Sequence, residues 1–402
     1  MNIKIKKLPF FMIFLVVYCF VNLLGIINFP IYKESYDSIT LLTLFLFGLF
    51  GVFSGYGVSK LIPITIKEKG SFKENRFNFL IFTIIFSSFL LILYTHVKNG
   101  GIILLNDDTR FDSFFFTNLI VYASVILMTL YVCNTLLKNN AISFKIFFLI
   151  IIQSLFVLSL GYRSPVIILI GSSLISFFTI RNSFQNKLKK VFTIRNVILF
   201  SILVFFMSSI SSYRISQKYS LENYYRNIDN SYIENHSYLK PFVPTFSLFR
   251  YNQYVIGELV NVTNNNHMNG SLYLSNFKAL LPGSYPGARN IIGELIGARK
   301  MPNGKHWSTT PTLQGALYVD GGNILVFFGY FILSLIIGLS SKIISKSPNP
   351  FNITIYSFLF TSILMSIHTG YFDLMFYMLI CGILFFKFII MRIKPLKIKN
   401  NE

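Results

Sequence analysis

Carboxylates are scarce in this chain, and charge of either sign is thin. Against 36 Lys and Arg there are 15 Asp and Glu in 402 residues, and the four types together make 13% of the composition. Soluble domains carry about 25%, so a water-exposed globular surface is excluded. Only three cysteines occur, Cys19, Cys133 and Cys381, each inside an apolar run. That excludes a disulfide framework or a Cys-based zinc site and leaves them as small buried hydrophobes. The chain has no His-Glu-x-x-His, no Asp-x-Asp and no Cys/His cluster, so no metal is expected. Asp107 and Asp108 are adjacent, and successive side chains rarely aim at one point. The glycine patterns of a P-loop, a dinucleotide fold and a nucleophile elbow are missing as well. Their absence argues against cytoplasmic nucleotide use, and no cofactor is expected. There is no internal repeat, Gly/Ser linker or appended soluble domain. The first apolar run, residues 8–27, is followed by no cleavage site and is long enough to span rather than be removed.

Apolar sequence is what the chain has in abundance. It is 53% hydrophobic and 17% aromatic, with a mean hydropathy of +0.59. A span needs roughly 20 apolar residues. On that measure there are about ten: 8–27, 39–62, 77–95, 114–136, 146–160, 165–180, 197–211, 323–341, 352–369 and 374–391. The expected fold is therefore an all-α polytopic membrane protein. Residues 146–180 could pass for one long helix, but Gly161-Tyr-Arg-Ser-Pro165 argues for a break, because Pro fits the first turn of a helix and not its middle.

Charge sets the orientation. With Met1 in the cytoplasm, the inner segments hold 22 Lys and Arg and the outer ones 4, apart from the long loop over 211–322. Cytoplasmic loops collect cations, while long loops escape that rule. Both termini are thus expected inside, with 211–322 facing outward and partly helical. Three parts follow: 1–210 with spans one to seven, the loop 211–322, and 323–402 with spans eight to ten. The net charge of +21 has the same origin. No basic domain with a nucleic-acid motif accompanies it, so no nucleic acid is expected as a partner.

The outer loop is the long polar interruption, with ten of the 36 Lys and Arg, three of the five His and the only Trp, Trp307. Connections longer than about 15 residues are usually functional or disordered, and this one is too aromatic for disorder. Arg163 and Arg214 lie at span ends facing the same side, where each is either an interfacial cation or an anion contact. Arg250, Arg289 and Arg299 follow within the loop. Each alone reads as a solvated charge, and together they could line one basic cavity. In Lys305-His306-Trp307-Ser-Thr-Thr310-Pro311, Thr310 reads as a helix cap and Pro311 as the first helical residue. That helix start would face His306 with free N–H groups and a positive dipole end.

Four features in chain order resemble the bacterial O-antigen polymerases (Wzy-type), which join oligosaccharide repeat units. They are Gly161-Tyr-Arg-Ser-Pro165 between two spans, Tyr213-Arg214 after the next span, the long outer loop, and Ser308-Thr-Thr-Pro-Thr-Leu-Gln-Gly-Ala-Leu-Tyr-Val-Asp-Gly-Gly322 entering a span. The likeness covers about residues 155–340. The related O-antigen ligases carry a loop His and a Thr-Pro pair further apart than His306 and Thr310-Pro311, which favours polymerase over ligase. A flippase or transporter of the same lipid-linked glycan is the reading from another class, and it would place charges within the spans.

The resemblance implies a metal-independent glycosyltransferase of the bacterial inner membrane. It would move a glycan from undecaprenyl pyrophosphate to a second lipid-linked repeat unit, beside a flippase and a chain-length regulator. It implies His306 and Arg289 as catalytic. Pyrophosphate contacts would come from Arg163, Arg214, Arg250, Arg299 and the helix start at Thr310. Glu258, Glu294 and Asp320 are alternative bases.

Overall fold

The computed structural model describes residues 10–23, 26–27, 30–31, 38–65, 74–102, 115–139, 144–160, 163–181, 229–264, 266–278, 285–298, 300, 304, 306, 309–370 and 379–387. Among them the chain is helical, and the only extended pairing is an isolated bridge between Lys300 and His306. Six helices precede the loop: α1 (Phe10–Leu23), α2 (Ser38–Leu61), α3 (Glu74–Lys98), α4 (Phe115–Asn139), α5 (Phe144–Ser159) and α6 (Arg163–Arg181). The loop contributes α7 (Asn230–Asn235), α8 (Val243–Thr263), α9 (Ser271–Lys278) and α10 (Ala288–Leu295). Then come α11 (Thr312–Lys346) and α12 (Pro350–Thr369). Residues 379–387 are helical too.

Five of these helices are long and apolar enough to cross a membrane, namely those over residues 39–61, 81–98, 117–139, 312–346 and 350–369. Three shorter apolar helices accompany them: Phe10–Leu23, Ile146–Ser159 and Ser164–Ile180. Eight of the ten expected spans thus fall on apolar helices. The seventh, 197–211, lies outside the described residues, and the tenth is described only over 379–387. The break expected near Gly161 is present: α5 ends at Ser159 and α6 begins at Arg163, which puts Pro165 in its first turn.

The main packing axis is α2 against α11. Gly51 and Gly55 face the backbone carbonyls of Phe327 and Phe331 so closely that a Cβ at either position would overlap them. In a bilayer no hydrophobic force distinguishes a neighbouring helix from lipid, so close backbone approach through small residues drives association. Ser334 Oγ donates to the Val52 carbonyl at 2.6 Å along the same seam. At its far end Lys342 Nζ donates to the carbonyls of Lys60 and Ile62, 2.8 and 3.0 Å away. Lys346 reaches the Ile64 carbonyl. Cations thereby take up carbonyls left over at the end of α2.

A second seam joins α4, α6 and α12 through small polar side chains. Thr129 meets Ser172 at 3.0 Å, Ser176 meets Ser357 at 2.8 Å, and Cys133 lies between Ser176 (3.1 Å) and Thr354 (3.2 Å). Such bonds average about 0.6 kcal/mol each in membranes, so they fix register more than they add stability. The contact order along this seam sets α4 and α6 parallel and α12 antiparallel to both. The last turn of α12 and the first turn of α6 therefore share one end of the bundle. α12 is well delimited: Asn349 Oδ1 accepts from Asn352 N at 2.8 Å, Pro350 opens the helix, and Gly370 closes it at φ 89°.

α11 is not one rod. Its backbone leaves helical geometry at Gly321 and Gly322. Gly322 has φ 62°, and a Cβ there would meet His267 Nε2 at 2.8 Å, so both conformation and space call for glycine. The Leu317 side chain lies against Gly329. Twelve residues of straight helix would hold those two about 18 Å apart, so the short limb 312–320 folds back on the long limb 323–346. Every residue of the short limb is buried. Val319, Ala316, Val255, Leu259, Leu272, Ala288 and Ile292 form a small separate core that fastens the loop helices to this limb.

We expect Gly55→Leu to lower the unfolding temperature of the detergent-purified protein by several degrees. Overpacking of this kind costs about 1–3 kcal/mol. Gly57→Leu, where a Cβ would meet nothing within 4 Å, should leave it unchanged in the same melting assay.

Candidate functional site

Four elements meet where α12 ends: its last turn, the middle of α8, the start of α10 and the start of α11. Gly370, just past α12, is so close to the short limb that a Cβ would stand 2.8 Å from Pro311 Cδ and 3.0 Å from the Thr312 carbonyl. On α8, Asn252 is buried and its Nδ2 lies 2.9 Å from His368 Nδ1. Its neighbour Gln253 donates to the Asn22 carbonyl of α1 at 3.2 Å. Arg250, two residues earlier, is 1% exposed and heads the largest fully buried side chains. Tyr251 and Thr309 are joined by a side-chain hydrogen bond; burial pushes the Tyr251 hydroxyl up, and that bond partly offsets it.

Arg289 enters the same place from the first turn of α10. Its charge and that of His368 act on each other, and its carbonyl accepts from Thr309 N at 3.1 Å. The segment carrying His306 is pinned alongside. Asn290 Nδ2 donates to the His306 carbonyl at 2.7 Å. The His306 ring is half-buried with Nδ1 2.6 Å from the Ala298 carbonyl. A carbonyl only accepts, so Nδ1 carries a proton, and the tautomer with one proton presents its lone pair at Nε2.

One of the expected residues, Arg289, thus approaches the end of α12; Arg250 is buried on α8, and His306 is tied to the α10 segment that carries Arg289. Thr310 is not the cap. The helix expected to begin at Pro311 begins at Thr312, with Pro311 in the cap position and no side-chain bond from it. Thr312 takes over that task, because its Oγ1 accepts from Gly315 N at 3.4 Å while its own φ is 56°. A β-branched residue at positive φ is strained, so the surrounding packing rather than local preference sets the shift. The chain must turn sharply between the buried Thr309 and the fold-back limb, and Thr312 at that turn supplies the side-chain bond.

Asp320 has both oxygens engaged by the start of α9: Leu272 N donates to Oδ1 at 3.0 Å and Tyr273 N to Oδ2 at 2.9 Å. It holds the loop to the break in α11 rather than facing the Arg289 cluster. Glu294 is exposed at the end of α10, and Glu258 is half-buried on α8. Arg163 opens α6 at the end of the bundle shared with His368, and its side chain lies outside the described residues, as do Arg214 and Arg299 altogether.

Sequence reasoning missed His368, Asn252 and Thr309 as members of this site. A signal for the first was available, since a histidine at the end of an apolar span is costly unless it is partnered and marks a functional position.

Residues 235–380 match the family model described as "Putative O-antigen polymerase". Over this segment the chain is similar to that family. The match takes in Arg250, Asn252, Arg289, His306, Thr309 and His368 together, and with them the whole fold-back of α11. It supports an O-antigen-polymerase-like function for a multi-pass membrane protein. No curated protein and no solved structure matches the chain.

Asp320→Ala should remove two charge-assisted bonds, worth about 1.5–3 kcal/mol each to a charged acceptor. The melting temperature should fall well below that of Glu294→Ala, whose side chain is exposed. Equal melting of the two variants would contradict the clamp.

Proposed function

We propose that this protein polymerises lipid-pyrophosphate-linked oligosaccharide repeat units at the outer face of the bacterial inner membrane. The observation that carries the reading is the meeting of Arg289 and His368 at the end of α12, with Arg250 buried on α8, inside the segment that matches the polymerase family model. Undecaprenyl pyrophosphate would be the lipid carrier of donor and acceptor. Both termini would be cytoplasmic and the loop 211–322 periplasmic, with a flippase and a chain-length regulator as partners.

The chemistry follows from charge. An acceptor hydroxyl attacks the anomeric carbon of the donor glycan, a new C–O bond forms, and the bond to the lipid pyrophosphate breaks. The departing pyrophosphate keeps the electron pair and gathers negative charge. Fixed cations in a site of low dielectric stabilise it without reorganising. Arg289 and Arg250 supply them, and a planar guanidinium matches phosphate oxygens bidentately. The hydroxyl proton passes to His306 Nε2, whose lone pair is presented because Nδ1 is committed to the Ala298 carbonyl. General-base assistance of this kind contributes about 10²–10⁴-fold. Asn252 sets the orientation of His368 beside Arg289.

A transporter would carry ionisable groups near mid-membrane. Apart from Asp320 beside the break in α11, the described spans keep theirs near the helix ends, as with Lys60, Lys98, Lys138 and His368.

His306→Ala and Arg289→Ala should each leave the protein in the membrane but reduce the glycan to single repeats on a gel of a complemented deletion strain. Full-length ladders from both variants would sink the assignment. In the deletion strain itself, single-repeat product supports polymerase. Loss of glycan from the lipid A core would support ligase, and lipid-linked units trapped inside the cell would support a flippase.

A further inference from the structure

The fold-back of α11 leaves a cleft of about 350 Å³ between its two limbs and the start of α9, lined by Leu313 and Leu317 of the short limb, by Leu325, Phe328 and Ile332 of the long limb, and by Tyr273. That volume is within the range of small-molecule sites, yet the lining is almost entirely hydrocarbon. Sugars and phosphates would lose their hydration there without gaining partners. The way in is apolar as well. Ile324, Phe328 and Ile332 recur every fourth residue on the long limb and are 69%, 50% and 50% exposed, so one stripe runs from the lipid-facing surface to the cleft. At the other end, Leu313 directly follows Thr312, whose carbonyl packs on Gly370 beside His368. The cleft wall and the contact with the end of α12 are therefore adjacent residues of the short limb.

A ligand that satisfies both ends has an anionic head joined to a hydrocarbon tail. We propose that this cleft seats the first isoprene units of the lipid pyrophosphate, with the pyrophosphate on Arg289 and Arg250. The tail then fixes the depth at which the reacting anomeric carbon sits. This rests on the reading above, and it adds a site for the carrier's hydrocarbon. The fold-back sets one wall of the cleft on the limb whose start packs on the end of α12, so a carrier entering sideways from the bilayer engages cleft and anion site together.

The test uses the full chain in nanodiscs and three probes measured by calorimetry: inorganic pyrophosphate, farnesyl pyrophosphate and lysophosphatidic acid. Farnesyl pyrophosphate should bind at least tenfold more tightly than inorganic pyrophosphate. Ile332→Trp, which fills the mouth of the cleft at a half-exposed position, should remove that advantage while leaving pyrophosphate binding unchanged. Phe328→Ala, which widens the mouth, serves as the second variant and should weaken only the farnesyl compound. Equal affinity of the two pyrophosphates in the unmodified protein overturns the cleft and leaves the anion site standing. If neither pyrophosphate binds, the anion site fails, and the cleft proposal with it. Lysophosphatidic acid binding as tightly as farnesyl pyrophosphate, with the same loss in Ile332→Trp, would make the cleft a general lipid seat and overturn the assignment.

Discussion

The structure turns on how the chain reverses at Gly321 and Gly322 without leaving backbone groups bare. At the depth of a bilayer an unsatisfied N–H or C=O costs several kcal/mol, so a broken helix survives only where protein groups replace the lost bonds. Here Val319 O accepts from Met268 N at 2.9 Å, and Asp320 caps α9. The break and the loop therefore satisfy each other. Without the reversal the short limb would continue along the helix axis. The small core of Val255, Leu272, Ala288 and Val319 would then have no floor.

That reversal also decides what can face what. α8 lies over the short limb and brings Asn252 to His368, while α10 is held by the same core and brings Arg289. The described helices of the loop are thus built around a piece of the following span. The polar groups near the end of α12 are collected by packing rather than by proximity in sequence: Asn252, Arg289 and His368 are dozens of residues apart and belong to three different helices.

Much of this was legible from the residues. Apolar runs located the helices, and Pro165 and Gly161 marked a real break, since a proline that cannot sit mid-helix leaves an unambiguous trace. The boundary placed at Gly322 proved to be a change of direction within one helical element, because two adjacent glycines look the same at a loop end and at a hinge. Thr310 misled because a Thr-Pro pair is a good local cap signal, but the tertiary turn at Thr312 overrode it. His368 was passed over because it sits at the end of an apolar run, where nothing nearby in sequence suggests Asn252 as its partner. The partnership depends on an approach between α8 and α12 that periodicity cannot show.

The glycine-lined face of α2 carries a consequence for how the protein is made. Its mate on α11 is 282 residues away at the Ser334–Val52 bond, so most of the chain is synthesised before that contact can form. Contacts of such separation form late, and surfaces awaiting them are open to wrong partners. Until then α2 stands in the membrane with Gly51 and Gly55 facing lipid or a passing helix. The assembly of this protein follows its ribosomal exit order, and the close backbone seam along α2 cannot shut until α11 has been made.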